Sequence, residues 1–347
     1  MKGLFSILGL LGMLPGLYIL SLMVRGGAVT GWAWAWMLIY VLVTLGLFWL
    51  QTEIRRARFL LGFGLALLGI VVALRSRGAL TTALGSQVTL PAGTPGRFIN
   101  RLGEEADLGM MLYIAFSDVG AIHRDSAARA RPSLRSLYRS MRVDTDYAAV
   151  PSPLPSNVLS MGSPDDFEAL IFNPPPEGRA ARSIVYLHGY GGQMKLPCWM
   201  LARRMPDALV VCPTVGLRGE WAHERAQAIF SRSIDYARQR SQAVYAVGQS
   251  SGATGLLHFI NRRLVGHVDG VALISGFDEN YYDDLRRASI PVLILHGQND
   301  ARTPPFRVEG LANVNRVRNI EMPGGEFLLY EHQDECLEEL DSFCGAH

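Results

Sequence analysis

The sequence predicts an α/β fold: a mostly parallel eight-stranded sheet flanked by helices, preceded by an N-terminal region of transmembrane helices. Three observations lead to this prediction. The first 75 residues are largely apolar and carry very few charges. From residue 157 onward, short apolar and β-branched runs alternate with helical patterns, which is typical of a parallel sheet covered on both faces. Between one such run and a helical pattern, a serine stands among glycines at 248–252.

The chain of 347 residues is therefore divided into a membrane region at 1–76 with three helices, a connector at 77–149 and a C-terminal α/β domain at 150–347. The net charge of +2 is too small to indicate a nucleic-acid partner, so none is expected. Internal repeats and low-complexity stretches are absent from the sequence.

The membrane region contains three apolar runs, at 4–24, 31–50 and 59–74. At about 1.5 Å per helical residue, the first two are long enough to cross a bilayer. The third is short and lies between Arg58 and Arg75. To cross a bilayer, the side chains of these two arginines would have to extend from the apolar layer to the membrane surface. A cleaved signal peptide is the alternative for the first run. We disfavour it because no clear small-residue cleavage site follows and two more apolar runs come next.

The charges beside the three runs predict their orientation. With three crossings, Lys2 and the arginines at 55–58 lie on one side, and Arg25, Arg75 and Arg77 lie on the other. The difference is one charge. It favours a cytoplasmic N-terminus and an extracytoplasmic C-terminal domain in a multi-pass membrane protein.

The connector contains two helical segments. The first, at 108–122, is apolar but short and includes Asp118, so we expect a packed or interfacial helix rather than a fourth crossing. A fourth crossing would place the C-terminal domain on the cytoplasmic side. The second, at 124–142, carries six arginines and an apolar face at helical spacing. Two interpretations stay open for it: a basic helix lying on anionic lipid, or a helix docked on the C-terminal domain.

The four cysteines all fall in the C-terminal domain, at Cys198, Cys212, Cys336 and Cys344. An even number suits an oxidising compartment, but buried free thiols account for them equally well. Cys336 and Cys344 cannot pair with each other if they share one helix, because eight residues rise about 12 Å. Their spacing does not indicate a metal site.

The C-terminal domain is predicted to begin with strands and to continue as alternating strands and helices. Helical patterns fill most of the gaps after residue 196. The candidate strands are 157–161, 167–172, 183–187, 208–212, 243–247, 268–274, 292–295 and 318–322.

Ser250 stands in the turn between the strand at 243–247 and the helical pattern that follows. The expected turn is so sharp that side chains at Gly248 and Gly252 would clash, and glycine avoids this. The turn raises the serine hydroxyl above the edge of the sheet. It also directs the N-terminus of the next helix at the place where negative charge would develop.

These ordered motifs resemble the α/β-hydrolase superfamily of serine esterases and lipases over about 190 residues. The segment 183–192, SIVYLHGYGG, is similar to the family's third strand and its oxyanion loop. The segment 291–300, PVLILHGQND, is similar to the later strand that delivers an acid. The family's chain order of serine, acid and histidine is also present.

The resemblance implies a triad of Ser250 as nucleophile, Asp300 as acid and His332 as base. Asp278, which follows the preceding strand, is an alternative acid, and His347 is an alternative base. His332 follows the last predicted strand and a glycine pair, but stands further from that pair than the family's histidine often does. No metal takes part in this chemistry.

The resemblance also assigns the two backbone N–H groups that bind an oxyanion to Tyr190 and Ser251. Gly189, Gly191 and Gly192 form the loop that supplies the first of them. These glycines are not a phosphate-binding loop, because no Lys-Ser or Lys-Thr pair follows them.

Taken together, these features predict a membrane-anchored serine hydrolase that cleaves carboxylic esters through an acyl-enzyme, without a cofactor. The expected partners are the lipid bilayer and a small-molecule or lipid ester. The gap between the strands at 268–274 and 292–295 is too short for a large cap domain. A serine peptidase, thioesterase or acyltransferase on the same triad is one alternative. A non-catalytic membrane receptor or scaffold with a hydrolase-like domain is the other.

Overall fold

The structure is a computed structural model. It describes residues 2–26, 30–49, 53–77, 81–190, 193–217, 221–262, 267–301, 303–305, 308, 310–311, 314 and 316–345.

Three helices precede the α/β domain: α1 (Lys2–Gly26), α2 (Gly31–Trp49) and α3 (Ile54–Ser76). By length and composition α2 and α3 could each cross a membrane, and the described part of α1 is apolar but shorter. Only 22% and 17% of the apolar windows of α2 and α3 are buried inside the protein. Large apolar side chains point outward instead, among them Leu17 and Phe59. Core helices of a soluble protein are buried on most of their apolar surface, so this pattern is compatible with the predicted membrane region.

The segment predicted as a connector contains more structure than expected. Its elements, with the next helix of the domain, are β1 (Gly85–Leu90), β2 (Thr94–Pro95), a 3₁₀ helix (Phe98–Arg101), α4 (Glu105–Asp118), α5 (Arg124–Val143) and α6 (Leu154–Val158). Strand β1 pairs antiparallel with β3 (Phe167–Phe172) along its whole length. The sheet therefore begins at Gly85, well before the predicted boundary at residue 150. This strand was not predicted from the sequence because four of its six residues are glycine, serine, glutamine and threonine, so it is not a run of apolar residues.

The sheet has nine strands, one more than predicted. The remaining strands are β4 (Ala180–Leu187), β5 (Ala208–Pro213), β6 (Ser241–Gln249), β7 (Gly270–Ile274), β8 (Val292–Gly297) and β9 (Val317–Met322). Their order is β2-β1-β3-β5-β4-β6-β7-β8-β9. All pairs from β5 to β9 are parallel, and the three pairs on the β2 side are antiparallel. The predicted mostly parallel α/β sheet is thus confirmed.

One predicted strand is wrong. Residues 157–161 were expected to be extended, but the chain forms the short helix α6 there and then leaves it. Proline in the first turn, at Pro155, fits a helix start because its missing N–H is not needed there.

Helices cover both faces of the sheet. They are α7 (Lys195–Arg204), α8 (Glu224–Arg238), α9 (Ser251–Asn261), α10 (Tyr282–Arg287), α11 (Leu328–Glu331) and α12 (Gln333–Gly345). Along β4, Ile184 and Tyr186 join the core formed with α4, α5, α7 and α12, while Val185 and Leu187 join the core formed with α8 and α9. Strands buried on both faces explain why these runs are almost continuously apolar.

Helix α4 lies beneath the ends of the three N-terminal helices. At its start, the Thr30 backbone N–H donates to the Asp107 carboxylate at 2.9 Å, just before α2. At its end, Asp118 pairs with Arg25 at the end of α1. Much of its surface is buried. It is therefore a packed helix, as predicted, and its 14 residues would span only about 21 Å of a bilayer core about 30 Å thick.

Helix α5 is the basic segment that was predicted either to lie on anionic lipid or to dock on the C-terminal domain. Its apolar face, with Leu134, Leu137, Tyr138 and Met141, is buried in the core that α4, α7 and α12 share. The helix is therefore docked on the α/β domain.

The cysteines form one disulfide, between Cys198 of α7 and Cys212 of β5. Cys336 and Cys344 are both on α12, free and buried. Burial raises the pKa of each of these two thiols to about 12, so both stay protonated and unreactive.

Candidate active site

Ser250 occupies a backbone conformation that is strained for a residue with a side chain. It lies between β6 and α9 with φ +51° and ψ −115°. Its N–H donates to the carbonyl of Ile274 at 2.8 Å, which ties the turn to β7. Its side chain is partly exposed. A non-glycine residue in this region costs of order 1–3 kcal/mol, and such residues cluster at functional sites.

Glycines make room for this turn. A Cβ at Gly252 would lie 2.1 Å from the carbonyl oxygen of Leu187, and one at Gly248 would lie 2.5 Å from that of Gly252. A third glycine, Gly276, has the same role, because its Cβ would lie 2.3 Å from the carbonyl oxygen of Ser250. Sequence reasoning did not single out Gly276, although the Ser-Gly pair directly after β7 was a readable signal.

Ser250 and Ser251 line a cavity of about 620 Å³ at the carboxyl ends of the parallel strands. This volume suits a small-molecule ligand. Five aromatic residues contribute to its wall: Tyr190, Trp221, Phe277, Phe327 and Tyr330.

The loop after β4 forms another part of the wall. A Cβ at Gly189 would lie 3.2 Å from that of Ser250, so the loop backbone runs directly beside the serine. Tyr190 lines the cavity, and its ring lies 4.6 Å from that of Phe116 on α4. Gly191 and Gly192, predicted as part of the same loop, lie outside the described residues.

His188 supports this loop from beneath. Its Nδ1 lies 2.9 Å from the carbonyl oxygen of Gly189, and the indole N–H of Trp221 donates to the His188 carbonyl at 2.9 Å. Burial lowers the pKa of His188 to about 4, so the imidazole is neutral near pH 7. It therefore acts as a structural group.

The start of α9 points its positive end at the serine. Ser251 is the first residue of that helix, and the first N–H groups of a helix have no acceptor within it. Together with the helix dipole, this N–H can stabilise negative charge beside Ser250. Gln249 fixes the same turn from the other side, because its Oε1 accepts hydrogen bonds from the hydroxyls of Tyr186 at 2.7 Å and Tyr330 at 3.1 Å.

The structure does not bring the predicted acid and base to the wall of this cavity. Asp300 follows β8, is buried, and accepts a hydrogen bond from the N–H of Thr303 at 2.9 Å. His332 lies between α11 and α12, where its N–H donates to the carbonyl of Leu328 and its Nδ1 lies 3.9 Å from a Glu335 oxygen. Among the described residues that form the wall, neither side chain is present. The physical reason is helix α11, which winds the chain through a turn before residue 332.

Other titratable side chains lie on the wall instead. Glu326 is only 5% exposed and directly follows the glycine pair after β9. Asp278, the alternative acid, is on the wall, and so is the exposed His223 before α8. Glu326 was not predicted from the sequence, because the resemblance leads us to expect a histidine as the base. The alternative base His347 lies outside the described residues.

No metal site is evident in the part of the chain that the structure describes, where no three His, Cys, Asp or Glu side chains form a cluster.

No protein-family model and no curated protein sequence matches the chain. Among solved structures, it is similar to Est1E from Butyrivibrio proteoclasticus, with 15% identity over 52% of this chain and 96% of that one, at a TM-score of 0.43. It is also similar to an esterase from Exiguobacterium antarcticum, with 12% identity, 53% and 97% coverage, and a TM-score of 0.43. An esterase from Pyrobaculum calidifontis gives 16% identity, 53% and 82% coverage, and a TM-score of 0.42. At these values the similarities do not define an activity.

Proposed function

We propose that this protein is a serine hydrolase that cleaves a carboxylic ester through an acyl-enzyme on Ser250. The observation that carries the proposal is the strained turn that holds Ser250 at the start of α9 and in the wall of a cavity. Strain of this kind is retained where the surrounding structure imposes it, and it places the hydroxyl where a substrate carbonyl can reach it.

In the proposed reaction, Ser250 Oγ attacks the ester carbonyl and forms a tetrahedral oxyanion. The backbone N–H groups of Ser251 and Tyr190 would donate to that oxyanion, and each such donor contributes about 3 kcal/mol to the transition state. The bond between the acyl carbon and the alcohol oxygen then breaks, and that oxygen takes a proton and leaves as the alcohol. The acyl group stays on Ser250. Water then releases the carboxylic acid and regenerates the serine.

For the group that takes the Ser250 proton, we propose Glu326. It is the carboxylate that follows β9 and its glycine pair, and it lies on the cavity wall, whereas His332 does not. A positioned carboxylate can act as general base and later return the proton to the leaving alcohol. His223 on the same wall is the alternative base, and the triad with Asp300 and His332 would require His332 to move.

A second candidate function is a binding module without turnover. The observation that favours it is the same Glu326, because an acid occupies the position after the glycine pair where the resemblance leads us to expect a histidine. In that case the cavity would bind a ligand and Ser250 would not be acylated.

We further propose that α1, α2 and α3 anchor the domain in a membrane with the α/β domain on the extracytoplasmic side. The outward apolar side chains of the helices and the disulfide between Cys198 and Cys212 support this placement. A reporter fused to the C-terminus tests it, and reporter activity confined to the cytoplasm would contradict it.

The test of the proposed function is covalent labelling of the full-length protein with a fluorophosphonate probe. We expect labelling of the native protein and its loss in Ser250→Ala. The matched control is Thr254→Ala, which removes another hydroxyl from the same wall and keeps labelling. A native protein that resists the probe would favour the binding module.

A further inference from the structure

The end of α1 is bonded to the end of α4, the helix that leads into the cavity wall. At that end, Arg25 donates two hydrogen bonds to the Asp118 carboxylate, each 2.7 Å long. Arg135 of α5 donates to the carbonyl of Gly26 at 2.7 Å. These contacts fix the end of α1 to the end of α4.

The other two helices reach the same segment. Arg75, in the last turn of α3, donates to Glu104 at 2.9 Å, and Thr30, just before α2, bonds to Asp107. The Trp36 indole N–H donates to the carbonyl of Leu102 at 3.0 Å. The domain-side ends of all three helices therefore rest on residues 101–118. If the helices span a bilayer, α4 lies along the boundary between lipid and water, since its two ends are held by two different helix ends.

Helix α4 leads directly into the cavity wall. Ala121 and Ile122, three and four residues beyond its end, line the cavity together with Ser250. Phe116, in its last turn, contacts the ring of Tyr190, which lines the same cavity. Between these contacts, Val119 is 73% exposed at the end of the helix. An exposed apolar side chain therefore lies at the end of α4, two residues before Ala121 of the cavity wall.

We propose that the substrate is a lipid ester taken directly from the bilayer, past residues 119–122. This inference rests on the proposed function and names its substrate class. The apolar part of such a lipid would pass directly from the membrane into the cavity, so little of its apolar surface would be exposed to water on the way. Two further arginines lie beside the ends of α1 and α4, Arg124 and Arg135; both donate to backbone carbonyls there, so their charges favour the phosphate groups of a lipid surface.

The experiment uses the full-length protein in phosphatidylcholine vesicles with two fluorogenic esters of the same alcohol. The 4-methylumbelliferyl oleate partitions into the bilayer, and the butyrate stays largely in water. Val119→Asp places a charge where the substrate would pass. The control is Leu159→Asp, which changes another exposed apolar residue, 58% exposed at the end of α6 and away from the cavity wall.

We expect Val119→Asp to lower oleate turnover roughly tenfold, the factor that corresponds to removing one buried valine from lipid contact. Butyrate turnover should stay within about twofold, which also shows that the variant is folded. Leu159→Asp should change neither rate. Three results would overturn the inference and leave the proposed function standing. Val119→Asp could affect both esters equally, or it could affect neither. The unmodified protein could also turn over the butyrate alone. No turnover of either ester would contradict the proposed function itself.

Discussion

At the scale of single residues, the turn around Ser250 was predictable, and the titratable side chains that line the cavity beside it were not. The turn places local demands on the chain: a strand before it, a helix after it, and glycines where a Cβ would lie 2.1 to 2.5 Å from a carbonyl oxygen. Such demands leave a pattern within five residues. The position of His332 depends on whether the chain after β9 runs straight or winds into α11, and no local pattern marked that short helix.

Gly252→Ala tests the geometry of the turn. The added Cβ would lie 2.1 Å from the Leu187 carbonyl oxygen, a backbone atom that cannot move aside easily. We expect a loss of more than about 3 kcal/mol in unfolding free energy, measured by denaturant titration. Gly62→Ala in α3, where no heavy atom lies within 4 Å of the added Cβ, is the control; it should lose no stability and gain up to about 1 kcal/mol from the higher helix propensity of alanine. Similar stability of both variants would show that the turn differs from the structure.

Glu326→Gln tests the proposed base. The amide keeps the size of the side chain but cannot take a proton, so ester turnover should fall by about 100-fold. His332→Ala should change turnover by less than about twofold, because His332 is not on the described cavity wall. The reverse result, a large loss in His332→Ala and little change in Glu326→Gln, would favour the predicted triad over Glu326 as the base.

At the scale of elements, the central sheet was readable because strands buried on both faces are nearly continuous apolar runs. Strand β3 was predicted with its observed ends, whereas β8 was predicted two residues too short at its end and β9 one residue too short at its start. Strand β1 was missed because its partner is distant in sequence and its residues are mostly polar or small. The packing of α4 followed from its length, whereas its contacts with three helix ends depend on tertiary structure.

The disulfide between Cys198 and Cys212 joins α7 to β5 and closes a loop of 14 residues. Thiol titration of the unfolded protein without reductant should find two thiols, those of Cys336 and Cys344, and four after reduction. Removing the bond by the double change Cys198→Ala and Cys212→Ala should cost about 3 kcal/mol in unfolding free energy. Four thiols before reduction would contradict the pairing.

At the scale of the whole molecule, the sequence predicted a membrane region followed by an α/β domain but not how the two are joined. In the sequence, Arg25 and Arg75 are charges that flank apolar runs, and Thr30 precedes one such run. In the structure they bind residues 101–118, and this segment continues into the cavity wall. That connection is the basis for proposing that the substrate comes from the bilayer.

The stability of the whole domain should depend on pH through His188. Its folded pKa of about 4 is below the usual value of 6.5, so the unfolded chain binds the proton more tightly. The contribution of the neutral His188 to the unfolding free energy is complete above pH 6.5. It is lost as the pH falls toward 4, by up to about 3 kcal/mol. Denaturant titrations at pH 7 and pH 4.5 should show a smaller loss for His188→Gln than for the unmodified protein. An equal loss in both would show that His188 is not buried in its neutral form.

The central claim is that Ser250 is acylated in the cavity at the start of α9. The most direct measurement is to mix the full-length protein with excess 4-nitrophenyl butyrate, quench it in acid within seconds, and locate the acyl group by peptide mass spectrometry. We predict a butyryl group on the peptide that contains Ser250, placed on Ser250 by fragmentation and absent from Ser250→Ala. A butyryl group on Ser251 or Tyr190, or hydrolysis of the ester without any acylated peptide, would contradict the account.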